Sequence, residues 1–375
     1  MSQQTAIVIG AGIVGLATAR SLSLKGYQVT VIERNERAVG ASVRNFGMVW
    51  PIGQPDGKLY QRAIRSKEIW KDLADSVGLW YDEVGSLHLA HHPKEWEVLQ
   101  ELQASFTENG RQVKLMDSAS IQSAYNGING NNLLGGLYSP TETIVDPREA
   151  IAVIPTYLNE YLNVNFIWNT TITEINEGKL KAGKKEFQAD LIFVCSGQDF
   201  ETLYPDILAE QAITKCKLQM MRFAPETAGW RIGTSICGGL SLTHYHAFKA
   251  APSLQKLKDH YAAEMQDYID WGIHVMVSQN HLGELTVGDT HEYANTFDPF
   301  DKAHLNKLVL DYLQKFAISG NWKLIQSWHG IYAKMTNGDT ELVLNPSPGV
   351  YIINGLGGNG MTLSFGLAEE IVASI

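Results

Sequence analysis

Gly10-Ala11-Gly12-Ile13-Val14-Gly15 sets three glycines at the spacing with which a chain wraps a phosphate. Gly10 allows the tight turn, Gly12 lets the backbone approach a pyrophosphate, and Gly15 lets the next helix lie close on the preceding strand. The N-terminus of that helix adds positive potential where the phosphate charge would sit. Eighteen residues beyond Gly15 stands Glu33, an acid placed to accept hydrogen bonds from ribose hydroxyls and to disfavour a 2′-phosphate. Ile7 to Glu33 therefore reads as a dinucleotide site that NAD or FAD would satisfy alike.

Two further segments favour FAD. Gly40 to Met48 follows the second strand and offers the Ser42 hydroxyl, the Arg44 guanidinium, the Asn45 amide and backbone donors beside Gly47. Gly355-Leu356-Gly357-Gly358-Asn359-Gly360-Met361-Thr362 lies between a strand and a helix but lacks a following βαβ unit with an acidic end. Backbone N–H groups at such a helix start suit the flavin N1/C2 carbonyl, where negative charge develops on reduction.

The elements that must position these residues are legible as patterns. Thr5 to Ile9 is short and β-rich, Ile13 to Leu24 suits a helix ended by Lys25-Gly26, and Gln28 to Ile32 returns as a strand. Helical patterns follow over Asp56 to Val77 and Lys94 to Glu108, and Val145-Asp146-Pro147-Arg148 opens another helix. Asn163 to Ile175 is strand-prone, and Ala189 to Val194 is a buried strand ending at Ser196-Gly197. Strands are expected around Lys217 to Phe223, Leu240 to Phe248, Ile273 to Ser278 and Glu284 to Gly288. The fold class is α/β with α+β: a Rossmann-type FAD-binding domain with an interleaved mixed-sheet substrate domain. Residues 1–80, 145–212 and 325–375 are assigned to the first, and 81–144 with 213–324 to the second.

At 375 residues and 45% apolar content the chain can bury a large core. Its net charge of -10 is scattered, unlike the basic footprint of a nucleic-acid binder. No apolar run is long enough to cross a bilayer, and the apolar start is too short for a signal peptide, so the expected compartment is the cytoplasm. Cys195, Cys216 and Cys237 have neither redox-dithiol nor zinc spacing and read as reduced packing residues.

Thr243-His244-Tyr245-His246 falls on an expected strand, where alternation sets His244 and His246 on one face. Two histidines without an acid or cysteine partner make a poor metal site, so no metal is expected. They read equally as donors to an anionic substrate or as plain sheet residues.

With these motifs on nearly its whole length, the chain resembles the D-amino-acid oxidase superfamily of glycine oxidase, sarcosine oxidase and D-amino-acid dehydrogenase types. Ser42 to Pro51 looks like a subgroup associated with aminophosphonate breakdown. The resemblance implies that Glu33 and Arg34 meet the adenosine, that Ile172 lies near the adenine, and that Ser42, Arg44, Asn45 and Gly47 line the flavin site. It also implies that Ser196, Gly197 and Gly357 to Thr362 close around the cofactor.

Two departures bear on substrate. Relatives that oxidise amino acids carry an arginine-proline after Trp-x-Gly to hold a carboxylate, whereas here Trp328-His329-Gly330 leads to Ile331-Tyr332-Ala333-Lys334. Thr362 stands where some sarcosine-oxidising relatives have lysine. Met48, His244, Tyr245, Tyr332 and Lys334 are therefore the substrate candidates, for a small anionic amine, with an aminophosphonate as the leading class. The flavin takes the hydride, which is why no acid-base pair or triad is required. Reoxidation falls to oxygen or another external acceptor, since there is no second nicotinamide fingerprint. No cysteine follows Cys237, so the FAD is expected to be non-covalent. A conventional D-amino-acid or glycine oxidase or dehydrogenase and a non-catalytic flavin binder are the competing readings.

Overall fold

The computed structural model describes residues 3–375. Thr5–Ile9 is the inner strand of a six-stranded sheet and pairs in parallel with Gln28–Ile32 on one side and Leu191–Val194 on the other. Covering on both faces explains its unbroken apolar run. Outward from these lie Asn165–Ile167 at one edge and Val350–Asn354 at the other, where Leu342–Ser347 adds the sheet's one antiparallel strand. Helix Ile13–Leu24 links the first two strands, and the closing helix Gly360–Ala373 packs on it and on Lys58–Val77. Arg62 joins the last pair from a buried position, with Nε and Nη2 each 2.8 Å from the Glu370 carboxylate.

A larger mixed sheet forms the second half. Its longest strands, Ile213–Pro225 and Trp322–Met335, run antiparallel with Cys216 opposite Tyr332. Leu285–Gly288, Met276–Gln279, Ser235–Cys237, Ser86–Ala90, Gly135–Ser139 and Lys114–Asp117 extend it, and Ser235–Cys237 lies parallel to Ser86–Ala90. Helices Pro93–Glu108, Leu254–Glu264 and Ala303–Phe316 bury Leu99, Leu102, Phe106, Leu257, Val309 and Phe316 in its core.

Three elements differ from the sequence reading. Leu240 to Phe248 is not a strand: Gly239–Thr243 and His246–Ala250 are short 3-10 turns. Ser241 Oγ donates to Gly238 O at 2.6 Å and Thr243 Oγ1 to Leu240 O at 3.0 Å, local bonds that compete with a sheet ladder. Trp322–Met335 belongs to the mixed sheet, so the boundary expected at residue 325 falls inside one strand. Only Asn165–Ile167 of the strand-prone stretch 163–175 pairs into the parallel sheet, which leaves Ile172 on a loop. Among the described residues no helix is long and apolar enough to cross a membrane.

Candidate active site

A cavity of about 880 Å³ is lined from both sheets. Gly10, Gly12, Glu33, Arg34, Ser42, Arg44, Asn45, Ile172, Ser196, Gly197, Gly357, Gly358, Asn359, Gly360 and Met361 all line it, as do His244, Tyr245, Tyr332 and Lys334. Segments more than three hundred residues apart in sequence thus share one chamber.

Gly15, Gly47, Thr362 and Met48 lie outside the lining, and each has another task. A Cβ on Gly15 would stand 1.9 Å from Gly10 O, so Gly15 seats the helix on the turn. A Cβ on Gly47 would stand 1.9 Å from Val145 O. Thr362 Oγ1 accepts from the Trp50 backbone N–H at 3.0 Å. Met48, on the two-residue strand Met48–Val49 against Ile144, is buried in the apolar core, which corrects its reading as a substrate residue.

The N-terminal cradle is built from backbone. Gly10 has φ +102°, and a Cβ there would lie 2.5 Å from Cys195 O, so the residue must be glycine on both counts. Glu33 Oε2 accepts from Ala11 N–H at 2.9 Å and Oε1 from Asn35 N–H at 3.0 Å. Ser42 Oγ accepts from Ile13 N–H at 2.9 Å, which draws the Gly40 to Gly47 loop over the helix start. Asn45 fixes that loop by accepting from Gly47 N–H and donating to the Ala41 and Ser42 carbonyls. Beside Glu33, Arg34 pairs with Asp199. Burial alone would raise the Asp199 carboxyl, but hydrogen bonds from Thr202 and Arg34 hold it down to about 2.

Another wall of the chamber is set by one strand face. Trp328, Gly330, Tyr332 and Lys334 alternate onto the same side of Trp322–Met335. Trp328 Nε1 donates to Arg44 O at 3.3 Å, and a Cβ on Gly330 would lie 3.3 Å from that carbonyl. Tyr332 Oη stands 3.9 Å from where a Cβ on Gly358 would be, and Lys334 Cγ 3.5 Å from that of Gly357. Lys334 Nζ donates to Tyr293 Oη at 2.9 Å. Burial and the neighbouring Cys216 and Asp289 push the Tyr332 phenol well above its ordinary value, so it remains a hydrogen-bond donor.

His244 and His246 lie not on a strand but at the junction of two 3-10 turns, and both line the chamber. The His244 ring stacks on His274 at a centroid distance of 3.8 Å and lies 4.9 Å from His291. Burial first, then the neighbouring rings, lowers His244 well below the ordinary imidazole value. Burial likewise takes His291 to about 4. Tyr245 packs its ring on Gly53 and donates to Met276 Sδ at 3.1 Å. Sequence reasoning missed His274, Asp289 and His291, which reach the chamber from the ends of Met276–Gln279 and Leu285–Gly288. Single histidines between strands carry no local motif.

The cradle that excludes a Cβ, the two glycine-bearing helix starts and a chamber within the ~300–1,000 Å³ range of ligand sites fit an extended dinucleotide. The family model described as FAD dependent oxidoreductase matches residues 5–374. The chain belongs to that family. Its cofactor is FAD.

Within the FAD dependent oxidoreductases, a tRNA 5-methylaminomethyl-2-thiouridine biosynthesis bifunctional protein of Burkholderia lata is 29% identical over 147 residues, covering 37% of this chain and 22% of that protein. A D-amino acid dehydrogenase of Helicobacter pylori is 24% identical over 248 residues, covering 51% of this chain and 59% of that protein. The matched stretches are therefore under two thirds of those relatives' lengths. Glycine oxidase from Geobacillus kaustophilus shares the fold at a TM-score of 0.79 and 17% identity, over 99% of this chain and 94% of that one.

Proposed function

We propose that this flavoprotein oxidises a small amine bearing an anionic group, by oxidative deamination or N-demethylation, with 2-aminoethylphosphonate or its N-methyl form as the leading substrate class. The observation that carries this reading is the placement of Tyr332 and Lys334 against Gly358 and Gly357 in the chamber that Gly10, Gly12 and Glu33 also line. Bound FAD supplies two-electron acceptance from the carbon beside nitrogen, and the resulting imine is hydrolysed by water. Gly10, Gly12, Ser42 and the Gly357 to Gly360 turn would hold it.

The chain's own residues bind and orient. The Tyr332 hydroxyl donates to the anionic group, and the Lys334 ammonium supplies charge for it. Leu218, Met220 and Met276 line the chamber and keep water from the reacting carbon. In this reading 1–80, 145–212 and the chain after Met335 carry the cofactor, the remaining segments carry the substrate, and oxygen or another external acceptor takes the electrons. The tyrosine where the family resemblance implies an arginine clamp removes the usual hold on an α-carboxylate and leaves the site to a differently shaped anion. A second reading, a conventional D-amino-acid or glycine oxidase or dehydrogenase, is favoured by the names of the relatives at 24% and 17% identity.

Aldehyde trapping tests the choice. Purified protein with an artificial electron acceptor is given 2-aminoethylphosphonate, its N-methyl form, glycine and D-alanine. Aldehyde is expected from the phosphonates. Oxo-acid from glycine or D-alanine alone would replace this reading with the second one.

A further inference from the structure

His244, His274 and His291 come from three separate loops, yet one ring nitrogen of each lies within 4.8 Å of the other two. Two of the rings are oriented from behind. His291 Nδ1 lies 2.8 Å from Gly272 O, and since a carbonyl only accepts, Nδ1 carries the proton. His274 Nδ1 lies 2.7 Å from Asp289 Oδ1, with both side chains buried. That contact is short but poorly aligned, so neither atom has a well-directed partner.

In a neutral imidazole a proton on Nδ1 leaves a lone pair on Nε2. Such lone pairs repel an anion and attract a cation. Metal-ligating histidines characteristically turn their other N–H to a carboxylate or a backbone carbonyl, the two supports that Asp289 and Gly272 provide here.

We propose that His244, His274 and His291 form a three-nitrogen site for a divalent first-row transition ion of the Zn²⁺ type, with Asp289 and the Gly272 carbonyl as positioning groups. Three histidines leave a fourth position open, as at catalytic zinc sites, and all three residues line the chamber. Ligands at ~2.0–2.1 Å from a tetrahedral ion stand roughly 3.4 Å apart, so the cluster closes by side-chain rotation. Asp289 supplies negative charge beside the site, and the nearby Lys334 ammonium donates to Tyr293 Oη at 2.9 Å. The open position suits an oxygen of the substrate's anionic group; this last link rests on the proposed function, whereas ion binding does not.

The test uses the FAD-loaded protein, stripped with a chelator, dialysed, and titrated with Zn²⁺ by calorimetry and with Co²⁺ by absorption to the red of the flavin bands. One equivalent per chain is expected. Asp289→Asn should weaken binding about ten- to hundred-fold. His291→Ala and His274→Ala should abolish the Co²⁺ bands while flavin content and melting temperature show that each variant is folded. His246→Ala, outside the trio, should leave the bands intact. Absence of stoichiometric ion in the wild type, or undiminished binding in both alanine variants, overturns the proposal. If no ion binds but inorganic phosphate does, and His291→Ala loses it, the trio is an anion receptor; the metal proposal then fails while the amine-oxidase reading stands. Ion binding without oxidation of any amine is the opposite split.

Discussion

The Tyr332 hydroxyl lies 3.9 Å from the point a Cβ on Gly358 would occupy. The tyrosine belongs to the mixed sheet, and the glycine to the turn that follows the last parallel strand. One strand face therefore delivers its polar groups to the turn proposed to meet the flavin. The proposed cofactor turn and the proposed substrate residues meet at that contact.

Removing those polar groups should impair turnover without loss of cofactor. A hydrogen bond to a charged group contributes about 1.5–3 kcal/mol, so Tyr332→Phe and Lys334→Met should each lower kcat/KM for the anionic amine roughly ten- to hundred-fold. Flavin content should match the wild type. Equal kinetics in both variants would place the anionic group elsewhere.

Gly10→Ala should do the reverse and expel the cofactor. The new Cβ meets Cys195 O at 2.5 Å on a backbone of φ +102°. Such strain costs about 1–3 kcal/mol before any lost phosphate contact. The visible absorbance of the purified variant checks this; full flavin occupancy would contradict the cradle assignment.

The parallel sheet and its glycine turn were legible because each rests on local pattern: an apolar run, a spaced glycine set, an acid after the second strand. Tyr332 and Lys334 stood out only through the missing arginine-proline after Trp328-His329-Gly330, and their common face follows from the strand Trp322–Met335. The histidine trio was not, since His244, His274 and His291 meet only through the packing of loops distant in sequence. Met48 was misread because a residue beside a cofactor loop can turn into the core when its neighbours pair as a strand. Leu240 to Phe248 looked like a strand by composition, but Ser241 and Thr243 bond to their own backbone.

The Arg34 and Asp199 pair should give an acid-dependent contribution to stability. The folded carboxyl at about 2 lies below its ordinary 3.8, so the contribution is complete above about pH 4 and is lost as pH falls through about 2. Asp199→Asn should therefore destabilise the fold at pH 6 by no more than about 1 kcal/mol for a partly exposed pair, seen as a lower melting temperature. The difference should close as pH approaches 2. A gap that is constant with pH would contradict a contribution carried by the Asp199 carboxylate and its bonds to Thr202 and Arg34.

The cofactor should be releasable. Cys195, Cys216 and Cys237 are buried free thiols, and burial raises each above the usual thiol range, which makes them poor nucleophiles toward a flavin. Acid precipitation of pure protein should leave the yellow colour in the supernatant. Flavin retained in the washed pellet would contradict non-covalent binding.

The central claim is that the chamber oxidises an anionic amine, and anaerobic mixing tests it most directly. The purified yellow protein is combined without oxygen with 2-aminoethylphosphonate, N-methyl-2-aminoethylphosphonate, glycine and D-alanine, and the visible flavin absorbance is followed. Bleaching by an aminophosphonate, absent or far slower with glycine and D-alanine, is the predicted result. Unchanged absorbance with every amine would contradict it.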